Sequence, residues 1–143
     1  MSKIAIACDH AGVKLKQEVI NYLQALGHEV SDLGCDSEES VDYPDYAKKV
    51  AEKVADATAD KGILVCGTGI GMALTACKFK GIRAASIHDI YSIEMARKHN
   101  DLNVLCLGSR VLGSGLSLRI VDAFLHTEFE GGRHARRVEK IEG

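Results

Sequence analysis

The run "KGILVCG" (61–67) is apolar from Ile63 to Cys66 without interruption. A strand with one wet face alternates apolar and polar residues, so an unbroken apolar run has to be covered on both faces. "KIAIACD" (3–9) and "NVLCLGS" (103–109) repeat the pattern, and "HEVSDLG" (28–34) and "IRAASI" (82–87) read as shorter strands. Helical stripes fall between them. Residues 11–26 place Val19, Leu23 and Leu26 on one face, and Gly27 stops that helix. Pro44, the single proline, fits the first turn of a helix whose Ala47, Val50, Ala51, Val54 and Ala55 form a buried stripe. Further helices are predicted over 69–79 and 90–99, another is marked by Leu116, Ile120, Val121, Phe124 and Leu125, and the basic tail 131–143 suits a short last one. Strand and helix alternate five times. This predicts an α/β fold: a three-layer, doubly wound, five-stranded parallel sheet of Rossmann-like type with right-handed crossovers. At 143 residues and 46% apolar content the chain suits a single domain, 1–143, that buries roughly two-thirds of its unfolded surface.

Sites in such sheets lie at the carboxyl ends of strands, where the winding reverses. Two strand ends carry unusual chemistry. The first ends in "CDHAG" (8–12) and the third in "CGTGIG" (66–71). A strand order of 2-1-3 makes these loops neighbours. Gly67, Gly69 and Gly71 allow a sharp turn and a close ligand approach. A dinucleotide cradle needs its third glycine at 72, where Met72 stands, although Asp89 mimics a ribose-binding acid. An oxyanion or phosphate nest needs only successive N–H groups, which Gly67, Thr68, Gly69, Ile70 and Gly71 supply. Cys66 abuts that nest, a setting that favours a thiolate able to take a proton. A phospho-acceptor module is disfavoured, because Cys66 stands where the acceptor aspartate would be. Cys8, Cys77 and Cys106 read as core residues; Cys35 falls in a loop.

The net charge of −2 and pI near 6.3 give no reason to expect nucleic acid or an anionic membrane as partner. No apolar run reaches the 18 or so residues of a membrane span. The N-terminus enters a strand pattern directly, and five cysteines without CxxC spacing suit reduced thiols, which predicts a cytoplasmic protein without a zinc site; no metal and no cofactor are expected. Asp9-His10, His99-Asn100, Arg110 and the tail arginines Arg133, Arg136 and Arg137 are the remaining candidates for chemistry. A turn, a helix end and a solvated face are their ordinary roles.

Together "CDHAG", "VDYPDYA", "ILVCGTGIGMAL", "KFKGIRAA", "ARKHNDLNVLCLGSRVLG" and "FEGGRHARRVEKI" resemble the motif series of type B ribose-5-phosphate isomerases, from residue 4 to about 141. The wider family includes galactose- and allose-6-phosphate isomerases. The resemblance implies a metal-independent aldose–ketose isomerase, an intramolecular oxidoreductase, acting on ribose 5-phosphate in the pentose phosphate pathway. It implies that Cys66 moves a proton between C1 and C2, with Thr68 relaying protons between the oxygens. Some members use a glutamate after the loop; Met72 at that position sets this chain with the cysteine branch. By the same resemblance His99 opens the ring with help from Asp9, Tyr43 and Asn100 line the sugar, and the amides of 67–71 hold the enediolate. His10, Arg110, Arg133 and Arg137 take the phosphate. A six-carbon sugar phosphate differs only in pocket length, and a non-enzymatic nucleotide-binding module is the alternative of another class. His99 precedes the fifth strand while Cys66 ends the third, so the two belong to opposite sheet edges. That predicts a homodimer with shared sites, alone or within a tetramer.

Overall fold

The computed structural model describes residues 1–143. The chain runs β1 (Lys3–Cys8), α1 (Val13–Ala25), β2 (Glu29–Asp32), α2 (Tyr43–Ala55), β3 (Lys61–Cys66), α3 (Ile70–Ala76), β4 (Ala84–Ser86), α4 (Ile90–Asn100), β5 (Val104–Gly108), α5 (Ser114–His126) and α6 (Arg133–Glu142). All strand pairs are parallel, in the order β2-β1-β3-β5-β4. The 2-1-3 neighbourhood is therefore present, and the loops after β1 and β3 lie side by side.

Strand periodicity sorts the core into two layers. Ile4, Ile6, Cys8, Ile63, Val65, Leu105 and Leu107 pack beneath α1, α4 and α5, with Val19, Leu23, Ile93 and Phe124. Ala5, Ala7, Leu64, Cys66, Val104 and Cys106 point the other way, onto Ala47, Val50 and Ala51 of α2 and Met72 and Ala76 of α3. Cys66 thus faces the α2–α3 layer and Cys8 the opposite one. Small alanines on that side of β1 let α2 lie close to the sheet. Lys16 is buried, yet its ammonium meets Asp32 Oδ1 at 2.7 Å and the Cys35 carbonyl at 2.8 Å, tying α1 to the end of β2. No helix is long and apolar enough to cross a membrane.

Several boundaries differ from the sequence reading. β4 covers three residues, not 82–87, because it is an edge strand paired with β5 alone from Ala84 to Ser86. α3 ends at Ala76, not 79, where Lys78 N donates to Thr75 O and Phe79 N to Ala76 O in tighter turns. This early ending also corrects Cys77, which is exposed beyond the helix, not buried in the core. Cys35, uninformative as a loop residue, is buried. Asp89 caps α4, accepting from Ser92 N at 2.8 Å. A capping role accounts for this acid without a ribose.

Candidate active site

β3 delivers Cys66 to the carboxyl edge of the sheet, 5% exposed. The chain then turns through Gly69, whose φ of +78° is a left-handed conformation that glycine adopts without steric cost. This turn aims the Gly69 amide at Cys66 Sγ, 3.1 Å away. An N–H donor on sulfur favours the charge a thiolate carries. The Ile70 amide donates to Thr68 Oγ1 at 3.2 Å, while the amides of Gly67, Thr68, Gly71 and Met72 have no acceptor within the protein. The loop is therefore a nest of donors set around a thiol.

Neighbouring loops fix this nest. Ser86 Oγ donates to Thr68 O at 2.7 Å from the end of β4. Ser109 N donates to Cys66 O at 2.8 Å and Arg110 N to Gly67 O at 3.1 Å, so the loop after β5 continues the sheet pairing past its edge. Ser109 Oγ also donates to Ala11 O at 2.8 Å, linking the loops after β5 and β1. Asp9 is 6% exposed; its amide donates to Val65 O and its Oδ1 accepts from Ala11 N at 2.9 Å, closing a tight turn. Tyr43, at the start of α2, lays its ring against Gly71. The Arg110 guanidinium lies beside Gly67. The two serines were not singled out in the sequence; their only signal is their place at strand ends.

Asp9, Tyr43, Cys66, Gly67, Thr68, Ile70, Gly71 and Arg110 line one groove of about 450 Å³. Leu74 completes its wall. A larger cavity of about 520 Å³ follows the β4 edge, lined by Phe79, Ile82, Asn100 and Ile141 among others, but it holds neither a thiol–amide pair nor Asp9. Chemistry, not size, singles out the smaller groove. His10 stands next to Asp9 and accepts from Val41 N through Nδ1 at 3.2 Å, which holds its ring beside the loop before α2.

The other predicted residues gather elsewhere. His99 and Asn100 end α4, immediately before β5, and α6 packs against α4 with Arg133 and Arg137 on it. The His99 ring stacks on His134, centroids 4.1 Å apart. Cys66 pairs with Gly108 at one end of β5, whereas His99 precedes Val104 at the other, and those two ends are roughly 13 Å apart at about 3.3 Å per residue. Arg133 and Arg137 therefore join His99, while His10 and Arg110 join Cys66. The candidate residues of one chain thus fall into two groups on opposite edges of its sheet.

Comparisons with known proteins agree with this architecture. Residues 4–141 match the family described as Ribose/Galactose Isomerase. Ribose-5-phosphate isomerase B of Escherichia coli is 52% identical over 141 residues, covering 99% of this chain and 95% of that one. A ribose 5-phosphate isomerase structure from Thermotoga maritima superposes with a TM-score of 0.96 at 53% identity, covering 99% of this chain and 97% of the other. The Mycoplasma genitalium ribose-5-phosphate isomerase B, solved with ribulose-5-phosphate bound, gives 0.95 at 44% identity over 98% and 93% of the two chains. With a match that spans nearly the whole chain, and with fold and sequence in agreement, this protein belongs to the ribose/galactose isomerase family.

Proposed function

We propose that the protein interconverts ribose 5-phosphate and ribulose 5-phosphate through an enediolate. The observation that carries this reading is the Cys66 thiol at 3.1 Å from the Gly69 amide, beside four amides without protein acceptors. Proton removal next to a carbonyl leaves negative charge on oxygen, and preorganised amides lower the energy of that charge in the transition state. In the aldose-to-ketose direction the Cys66 thiolate takes the proton from C2 of the open-chain aldehyde. The C2–H electron pair forms the C1–C2 double bond, and the carbonyl pair moves onto O1. The nest formed by residues 67–71 holds that oxygen. Thr68 Oγ1 carries the hydroxyl proton from O2 to O1, and Cys66 returns its proton to C1. No electron leaves the sugar, so the reaction needs no external oxidant. Tyr43 closes one wall of the groove.

Two further elements belong to the proposal. His99 protonates the ring oxygen of the furanose, with Asp9 assisting from the Cys66 side and Asn100 holding the sugar. His10, Arg110, Arg133 and Arg137 bind the phosphate. Because His99, Asn100, Arg133 and Arg137 lie at the edge opposite Cys66, these roles require a second copy of the chain. Each site of a two-fold dimer then combines the nest of one subunit with the α4–α6 edge of its partner. The split of the candidate residues into two groups supports this arrangement.

The experiment is Cys66→Ser. A serine hydroxyl is a far weaker acid than a thiol and a poor base at neutral pH. General-base catalysis contributes about 10² to 10⁴-fold, so the variant retains at most about a hundredth of kcat while its circular dichroism spectrum is unchanged. A folded variant with more than about a tenth of the original kcat would remove Cys66 from the base position.

A further inference from the structure

Three donor side chains meet beside the end of α4. They are His99, Glu130 in the loop before α6, and His134 in its first turn. Glu130 Oε1 lies 3.8 Å from His99 Nε2 and 3.6 Å from His134 Nε2. The two rings are 9° from parallel, and all three donor atoms fall within 4.8 Å of one another. The backbone fixes the arrangement: Glu130 N donates to Lys98 O at 3.0 Å, and His134 N to Gly131 O at 3.0 Å.

Neither carboxylate–imidazole distance is short enough for a hydrogen bond. All three donors lie close enough to share one ion once the rings turn out of their parallel stack. A tetrahedral Zn²⁺ binds imidazole nitrogen at about 2.0–2.1 Å and carboxylate oxygen at about 2.0–2.2 Å, which puts its donors roughly 3.4 Å apart. The donors, now 3.6 to 4.8 Å apart, would close to that spacing by rotation of the side chains. His134 is the buried member of the three. Its side chain is 9% exposed, against 39% for His99 and 51% for Glu130, so the site is anchored on one side and open to a fourth ligand, water, on the other. Arg133 and Arg137 on α6 and Lys98 on α4 oppose a dication; the Glu130 carboxylate offsets part of that charge.

We propose that His99, Glu130 and His134 bind a divalent transition-metal ion, Zn²⁺ foremost, and that the bound ion inhibits the isomerase by occupying His99 Nε2. Two imidazoles and one carboxylate suit zinc and its first-row neighbours, whereas Mg²⁺ and Ca²⁺ favour all-oxygen shells. The ion is an inhibitor here, not a cofactor, since it takes the nitrogen that the ring-opening proton needs. The inhibitory half rests on the role proposed for His99; the binding half does not.

The test measures binding and activity separately on the intact protein. Zn²⁺ is titrated calorimetrically into the unaltered chain and into Glu130→Gln, His134→Ala and Cys66→Ser, each checked for native circular dichroism. Glu130→Gln keeps size and shape at an exposed position, so it preserves the fold even if His134→Ala does not. The unaltered protein and Cys66→Ser bind with equal affinity, and loss of Glu130 or His134 weakens binding by at least about tenfold. Zn²⁺ inhibits isomerisation, a chelator restores it, and the inhibitory concentration for Glu130→Gln rises by the factor seen in calorimetry. Co²⁺ in place of Zn²⁺ gives an absorption spectrum without a thiolate charge-transfer band. Binding abolished by Cys66→Ser and retained by Glu130→Gln would assign the ion to the thiol and overturn the site. Binding at the three residues with activity unchanged would overturn the inhibitory half and, with it, the role of His99.

Discussion

Replacement of Gly69 by alanine tests whether the nest is held by backbone geometry. At φ +78° an added β-carbon meets Ser86 Oγ at 2.8 Å and the carbonyl carbons of Leu107 and Cys106 at 3.1 and 3.2 Å. Two of these three atoms are backbone of β5, a strand paired on both sides, and cannot withdraw. The left-handed conformation itself costs an alanine about 1–2 kcal/mol. At about 3–4 °C per kcal/mol for a chain of this size, strain alone lowers Tm by roughly 3–8 °C. The clash has a separate consequence. It is relieved only if the loop moves away from β5, and that movement takes the Gly69 amide off Cys66 Sγ and the other donors out of alignment. Loss of one preorganised donor costs roughly 2.7–4 kcal/mol, about 10² to 10³ in kcat. Gly81→Ala is the control for strain, since φ there is +84° and no atom lies within 4 Å of the added carbon. Ketose formation from ribose 5-phosphate gives kcat, and thermal unfolding followed by circular dichroism gives Tm. Both variants lose stability, but only Gly69→Ala loses kcat, by at least about a hundredfold. A Gly69→Ala enzyme destabilised to the same degree as Gly81→Ala and still within about tenfold of the original kcat would show that the nest does not depend on this turn.

Other expectations follow from the same geometry. Mixing Cys66→Ser with His99→Asn, each nearly inactive, restores up to about a quarter of the original activity per site after subunit exchange, because random pairing leaves half the dimers with one intact composite site; no recovery after verified exchange would place His99 in the site of its own chain. Arg133→Ala and Arg137→Ala raise KM for ribose 5-phosphate and leave the slow turnover of unphosphorylated ribose unchanged, whereas equal losses on both sugars would indicate damage to the fold. Iodoacetamide on the native protein, read by mass spectrometry, modifies exposed Cys77 rapidly and spares Cys8 and Cys106. Burial pushes Cys8 up to about 12 and Cys106 well above the ordinary thiol value, so reaction at either site at the Cys77 rate would contradict their place in the core. Lys16→Met destabilises the protein by less than the roughly 3–5 kcal/mol of a broken, fully buried pair, because Asp32 still reaches water. Burial opposes the Lys16 charge, but the Asp32 hydrogen bond and nearby anions raise its pKa above 10.5; the stability gap measured by denaturant titration therefore holds below that pH and closes as pH rises through the higher folded value. A gap that closed in mild acid would have the wrong sign.

Much of this was legible in the sequence because local pattern and tertiary demand agree. Unbroken apolar runs at β1, β3 and β5 can exist only between two helical layers. The chemistry at the ends of β1 and β3 indicates their adjacency. The placement of β5 between β3 and β4 was not legible, since pairing partners leave no mark on a three-residue edge strand. Cys77 misled because the apolar pattern of α3 runs past the helix, whose last turns tighten after Ala76. Asp9 had an ordinary role as a turn residue, and it fills that role while also lining the groove. Glu130 and His134 lie within "FEGGRHARRVEKI", but nothing in that motif links them to His99. They meet His99 only because α6 folds back on α4, a contact between segments that periodicity treats separately.

The sheet order also bears on synthesis of the chain. β1, β2 and β3 can assemble as soon as β3 has left the ribosome, since each neighbours another in that group. β4 emerges next but has no strand to pair with, because its only partner is β5, which follows it. Until then the apolar edge of β3 stays open, and an open strand edge is a template for pairing with another chain. α4, made in that interval, separates the unpaired strand from the one that will receive it. A ribosome paused between α4 and β5 would hold the nascent protein with that edge open and with the thiol loop still lacking the Ser109 and Arg110 amides that anchor it.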